Sequence, residues 1–185
     1  AERLIALNNL YDVYYPFGMS TQIYSKLYLA LIRSLQKKTT KLAVQQRNQN
    51  YKAGHGQPYS GIVGGSDSFT IIGRSGIGKS TAISRAISLI GGNQIIETES
   101  PYRKIIPTLV VQCPWDSSIK GLFLSILRTI DDALETRYYQ DAIRSHATTD
   151  LLIGTVSNAC LNHTGLLIVD EVQNCVNSKN GKNLI

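Results

Sequence analysis

Gly73-Arg74-Ser75-Gly76-Ile77-Gly78-Lys79-Ser80 spells G-x-x-x-x-G-K-S, and few strings of this length restrict a fold so strongly. Glycines at the bends let successive backbone N–H groups turn inward around phosphate oxygens, where a Cβ atom would obstruct them. The loop works only between a buried strand and a helix whose N-terminal end faces the phosphates. Phe69-Thr70-Ile71-Ile72 reads as that strand. Residues 79–90 read as the helix, with Ile83, Ala86, Ile87 and Ile90 at helical spacing and Gly91-Gly92 as its stop. Lys79 is expected to bring a point charge to the β and γ phosphates, and Ser80 to offer its hydroxyl to Mg2+. Gly73, Arg74, Ser75, Gly76, Ile77, Gly78, Lys79, Ser80 and Thr81 make up the expected nucleotide-binding set.

Leu166-Leu167-Ile168-Val169-Asp170-Glu171 supplies the acidic strand that such a loop needs. Four branched apolar residues ending in two carboxylates predict a parallel strand buried on both faces, its C-terminal edge opening on a ligand crevice. Asp170 is expected to hold Mg2+, usually through water, and Glu171 to polarise the attacking water. Glu171 and Lys79 are thus the candidate catalytic residues. A second acid favours an ATPase over a kinase or a GTP switch, and the chain has no guanine-reading Asn-Lys-x-Asp element. ATP and Mg2+ are the implied cofactors.

At 185 residues and 43% hydrophobic content the chain can bury a single core. We expect one α/β nucleotide-binding core over residues 61–185, preceded by an extension over residues 1–60 with one long helix and a glycine-rich linker. No apolar run approaches the roughly 20 residues that span a bilayer and no secretory signal is evident, so the expectation is an intracellular protein without a membrane partner. Cys113, Cys160 and Cys175 are far apart and lack C-x-x-C spacing, which reads as reduced, mostly buried thiols. His55, His146 and His163 are equally scattered and suggest no metal site. The net charge of +6 exceeds what ATP alone requires. Basic residues gather at Arg33, Lys37, Lys38, Lys41, Arg47 and Lys52, and again at Arg128, Arg137 and Arg144. Such a surplus suits either nucleic-acid phosphates or plain solubility.

Residues 1–18 form an irregular lead-in with Tyr11, Tyr14, Tyr15 and Phe17, suited to packing on the core or on a neighbouring subunit. Residues 20–47 read as one helix striped by Ile23, Leu27, Leu31 and Leu35, its second half either a solvated end or a basic arm. Residues 54–65 hold five glycines and Pro58 and read as a loop, in which Ile62 and Val63 could lie against an adenine ring or belong to a plain linker. Residues 94–97 and 108–113 read as strands around a charged turn at Tyr102-Arg103-Lys104. Pro114-Trp115-Asp116-Ser117-Ser118 caps a helix with Ile119, Leu122, Phe123, Ile126, Leu127, Ile130 and Leu134 on its apolar face. Residues 138–149 are polar and poorly periodic. A last helix, residues 150–161, turns Leu152, Val156, Ala159 and Cys160 inward.

This order of elements resembles the AAA+ ATPases, and most of all the TnsC/TniB-type regulators of DNA transposition. The resemblance rests on residues 66–81, on Gln112-Cys113-Pro114-Trp115-Asp116-Ser117-Ser118, and on the acidic strand continuing as Val172-Gln173-Asn174. It implies an α/β P-loop NTPase core, a parallel sheet flanked by helices, with a helical N-terminal extension. It implies a bacterial, cytoplasmic, nucleoid-associated ATPase that binds ATP and assembles as a homo-oligomeric ring or filament on double-stranded target DNA. Transposase and target-selection proteins would be its partners. Family DNA contacts lie between the second strand and the acidic strand, which makes Lys120, Arg128, Arg137 and Arg144 the candidates here. The family's sensor residue, arginine finger and lid follow the acidic strand, and this chain ends at Ile185. The expectation is therefore a core without its C-terminal lid, whose turnover depends on a neighbouring subunit. A replication loader, a signalling ATPase of the same superfamily, and a P-loop kinase are the alternatives.

Overall fold

The computed structural model describes residues 14–60, 67–99, 102–116 and 118–176, the side chains of residues 175 and 176 excepted. Tyr11, Ile62, Val63 and Ser117, which entered the expectations above, lie outside the described residues. Periodicity and capping account for most of the helices. α1 (Gly18–Lys37) buries Ile23, Leu27 and Leu31, one turn apart. α2 (Lys41–Gly54) starts at Thr40, whose side chain accepts from the Ala43 amide at 3.3 Å. α3 (Lys79–Leu89) follows the glycine loop and buries Ala82, Ala86 and Ile87. It stops where Gly91 takes φ +68 and the Gly92 amide donates back to the Ile87 carbonyl at 2.9 Å.

β1 (Ile96–Glu99) and β2 (Tyr102–Gln112) pair antiparallel, Ile96 opposite Ile105 and Glu99 opposite Tyr102. α4 (Ile119–Leu134) is capped by Ser118, which accepts from the Gly121 amide at 3.0 Å. α5 (Tyr138–Arg144) and α6 (Thr149–His163) follow, and β3 (Thr164–Asp170) returns parallel to β2 with Gln112 opposite Asp170. A short α7 (Gln173–Val176) closes the described chain. The described sheet is three-stranded and mixed, in the order β1-β2-β3.

Two apolar clusters hold these parts together. The larger joins β2 (Ile106, Leu109, Val111) to α4 (Leu122, Ile126, Leu127, Ile130) and α6 (Leu152, Val156, Ala159). Leu127, Ile130 and Leu152 are fully buried, and each such side chain is worth about 2–5 kcal/mol against alanine. The smaller cluster packs Ile23 and Leu27 of α1 against Ala82 and Ala86 of α3, with Leu166 and Ile168 of β3 beneath. α2 lies on α6 at backbone contact, because a Cβ on Gly154 would overlap the backbone of Ala53 and Gly54.

Several local expectations are corrected. Residues 69–72 form no strand: Ile72 is 90% exposed, and only Ile71 reaches the α1–α3 cluster. A strand needs a ladder partner, and among the described residues β3 is bonded to β2 alone. β3 is accordingly not buried on both faces, since Leu167 is 41% exposed. Residues 20–47 are two helices, broken at Lys38-Thr39-Thr40, and α2 runs past the expected end at residue 47 to Gly54, the first residue of the expected loop. Tyr102-Arg103-Lys104 belongs to β2 rather than to a turn, Lys104 facing Glu97 across the ladder at 3.7 Å. α5 lies within the stretch read as non-periodic. Its first amides are satisfied from another helix, Asp131 of α4 accepting from Tyr138 N at 3.0 Å and Tyr139 N at 2.8 Å. Cys113 is disulfide-bonded rather than reduced, whereas Cys160 is free. Distance along the chain was a poor guide because β2–β3 pairing carries Cys113 to the end of the acidic strand, its amide donating to the Asp170 carbonyl at 2.9 Å.

The break after α1 has a use. Lys38 is 6% exposed, and its Nζ donates to the carbonyls of Leu161 at 2.5 Å and Cys160 at 3.3 Å, in the last turn of α6. Burial lowers its pKa from 10.5 to about 8; the nearby cations Arg103 and Arg47 add to this, and Cys160 opposes it. A lysine held below its unfolded value penalises folding fully while both states are protonated. The penalty fades as pH rises through the folded pKa of about 8 and is gone above 10.5. The full effect is roughly 3 kcal/mol. Thermal melts from about pH 7.5 to about pH 10 should therefore show wild type gaining on Lys38→Met as pH rises. Parallel curves for the two proteins would remove this account.

Candidate nucleotide-binding site

The glycine loop uses conformations and clearances that glycine alone provides. Gly76 and Gly78 sit at φ +81 and +85, in the left-handed region that costs other residues dearly. At Gly73 the constraint is space, since an added Cβ would lie 2.6 Å from Ile77 Cδ1. Gly78 is also the N-cap of α3. It supplies no capping side chain, and the first turn holds no acidic residue. The first amides of α3 are therefore left to an external acceptor, with the helix dipole behind them. Lys79 is half-buried and stretched across the loop, its Nζ donating to the Gly73 and Arg74 carbonyls at 2.8 Å each. Ser80 and Thr81 are exposed at the start of the helix.

The acidic residues are placed by β3. Asp170 ends the strand opposite Gln112, and its Oδ1 accepts from the Glu171 amide at 2.9 Å. Glu171 lies just beyond, exposed and at φ 57. Its carbonyl accepts from the Asn174 amide at 2.9 Å, and its Oε2 accepts from the Gln173 side-chain amide. The two halves of the site share a floor. Ala82, on the first turn of α3, and Ile168, two residues before Asp170, lie in the same apolar cluster. A glycine loop with a lysine, sharing an apolar cluster with a strand that ends in two acids, suits a nucleoside triphosphate with Mg2+. Ser80 and Asp170 are the oxygen donors that would hold the metal.

The basic candidates are exposed but dispersed over two elements. Lys120 stands in the first turn of α4, and Arg128 lies further along it facing Asp132 at 3.9 Å. Arg137 is the N-cap of α5 and Arg144 lies in its last turn. In the N-terminal basic group, Arg33 and Lys37 face Asp67 at 3.8 and 3.5 Å, and Lys38 is buried. Trp115 is 91% exposed, two residues beyond the backbone bond that ties Cys113 to Asp170. Sequence reasoning gave Gln173 no role. Its place two residues after the second acid was the available signal.

Fold and site together define an AAA-type P-loop core: an α/β domain in which a glycine loop with its helix and an acidic strand border one apolar cluster. Residues 64–184, well over half of the chain, match the family model described as AAA domain, and the chain belongs to that family. No curated protein matches it. No helix among the described residues is long and apolar enough to cross a membrane.

Proposed function

We propose that this chain is the nucleotide-binding core of an ATP-dependent regulator of DNA transposition, of the TnsC/TniB type. In this reading it binds and hydrolyses ATP, assembles as a ring or filament on double-stranded target DNA, and recruits or activates a transposase. The amides of residues 76–80 and the Lys79 ammonium bind the triphosphate, Lys79 exchanging its two loop carbonyls for phosphate oxygens. Ser80 and Asp170 would hold Mg2+, which would supply charge neutralisation to the phosphates. Glu171 orients and polarises the attacking water.

The observation that carries the DNA part is the loop after β2. Trp115, almost fully exposed, and the exposed Lys120 stand on the segment that Cys113 fastens to Asp170, so DNA bound there would touch the chain beside the hydrolytic residues. A lysine cation suits a phosphate of the duplex backbone, and the exposed indole beside it can pack against the neighbouring sugar edge. Sedimentation of the full-length protein tests this. ATP and duplex DNA together should yield large assemblies that dissociate steeply with added salt. A monomer at low salt with both ligands present would sink the proposal. Transfer of phosphate to a small molecule instead of water would point to the kinase alternative.

A further inference from the structure

The geometry points to Gln173 as a positioning residue for turnover, holding the Glu171 carboxylate by Oε2 so that Oε1 is presented to the attacking water. The inference rests on Glu171 being the residue that polarises that water. Glu171 is exposed and occupies a left-handed conformation that non-glycine residues rarely adopt. Three bonds keep it there. Its amide donates to Asp170 Oδ1 at 2.9 Å, its carbonyl accepts from Asn174 N at 2.9 Å, and its Oε2 accepts from Gln173 Nε2. The first two place the backbone; only the third places the reacting end of a long side chain.

An exposed glutamate without such a bond would sample many rotamers, and most would aim the carboxylate away from the reaction. An amide is the suitable holder, because it donates to a carboxylate without exchanging a proton with it. Gln173 is itself anchored. It opens α7, and the next residue, Asn174, donates from Nδ2 to the Cys113 carbonyl at 3.5 Å. The holder of Glu171 is thus tied to the root of the Trp115 loop.

The experiment compares full-length wild type, Gln173→Ala, Gln173→Met, Glu171→Gln and the double variant Gln173→Ala/Glu171→Gln. Methionine keeps the volume and removes the donor, which separates loss of the bond from loss of packing. Both Gln173 variants should lower kcat about tenfold, with the Kd for a non-hydrolysable ATP analogue unchanged. In the Glu171→Gln background, Gln173→Ala should cause no further loss, because the two residues act as one unit. In the nucleotide-free, 15N-labelled chain the Gln173 side-chain amide protons should be shifted downfield and slow to exchange, reverting to free values in Glu171→Ala. Wild-type kcat in both Gln173 variants, beside an inactive Glu171→Gln, overturns this inference alone. So do identical Gln173 amide signals in wild type and Glu171→Ala. Full turnover in Glu171→Gln overturns the assignment of the base, and this inference with it.

Discussion

Lys79→Ala should raise the Kd for a fluorescent ATP analogue by about 100-fold or more. The variant removes the ammonium that spans the mouth of the loop and with it about two charge-assisted hydrogen bonds to phosphate, together worth roughly 3 kcal/mol. The fold should survive. The carbonyls of Gly73 and Arg74 that Lys79 contacts lie on an exposed loop, where water can satisfy them once the ammonium is gone. Equilibrium titration beside a thermal melt reads both effects. An affinity within about threefold of wild type would mean that the loop does not hold a triphosphate in the way its amides suggest.

Glu171→Gln should show the opposite division, with nucleotide affinity within about threefold of wild type and kcat reduced about 10²- to 10⁴-fold. Glutamine keeps the shape, and its side-chain oxygen can still accept from Gln173, so the turn after β3 is retained. What disappears is the basicity that polarises water. Single-turnover phosphate release beside an affinity titration separates the two quantities. If binding and turnover fell together, Glu171 would belong to the binding of nucleotide rather than to its hydrolysis.

These expectations trace to parts of the site that are legible in the amino-acid sequence. The glycine loop and α3 are local: the φ values of Gly76 and Gly78 follow from residue type, and the α3 stripe from spacing. α4 was equally plain, because its apolar residues recur at helical spacing and Ser118 precedes them. What escaped depends on partners distant in sequence. Residues 69–72 have the composition of a strand, but a strand exists only where a ladder accepts it, and β3 offers none to them among the described residues. α5 has little apolar periodicity, and Asp131 on the preceding helix caps it. The break at Lys38-Thr39-Thr40 contains neither glycine nor proline. It follows from Lys38 turning inward to the end of α6, a contact no local pattern encodes. Within the site, Gln173 was visible as a residue but not as a contact.

The first described helix is fastened to the end of α6 and to the strand after it. Ser34 donates to the Gly165 carbonyl at 2.6 Å, Lys38 reaches Leu161, and Ile23 and Leu27 rest in one cluster with Leu166 and Ile168. During synthesis from the N-terminus, α1 therefore leaves the ribosome long before the residues that cover it, its apolar stripe exposed to whatever else is near. Closure over so many intervening residues is slow, and the phosphate loop cannot rest on its finished floor until the acidic strand has been made. Competence to bind nucleotide should thus arrive late and all at once in the life of each new chain.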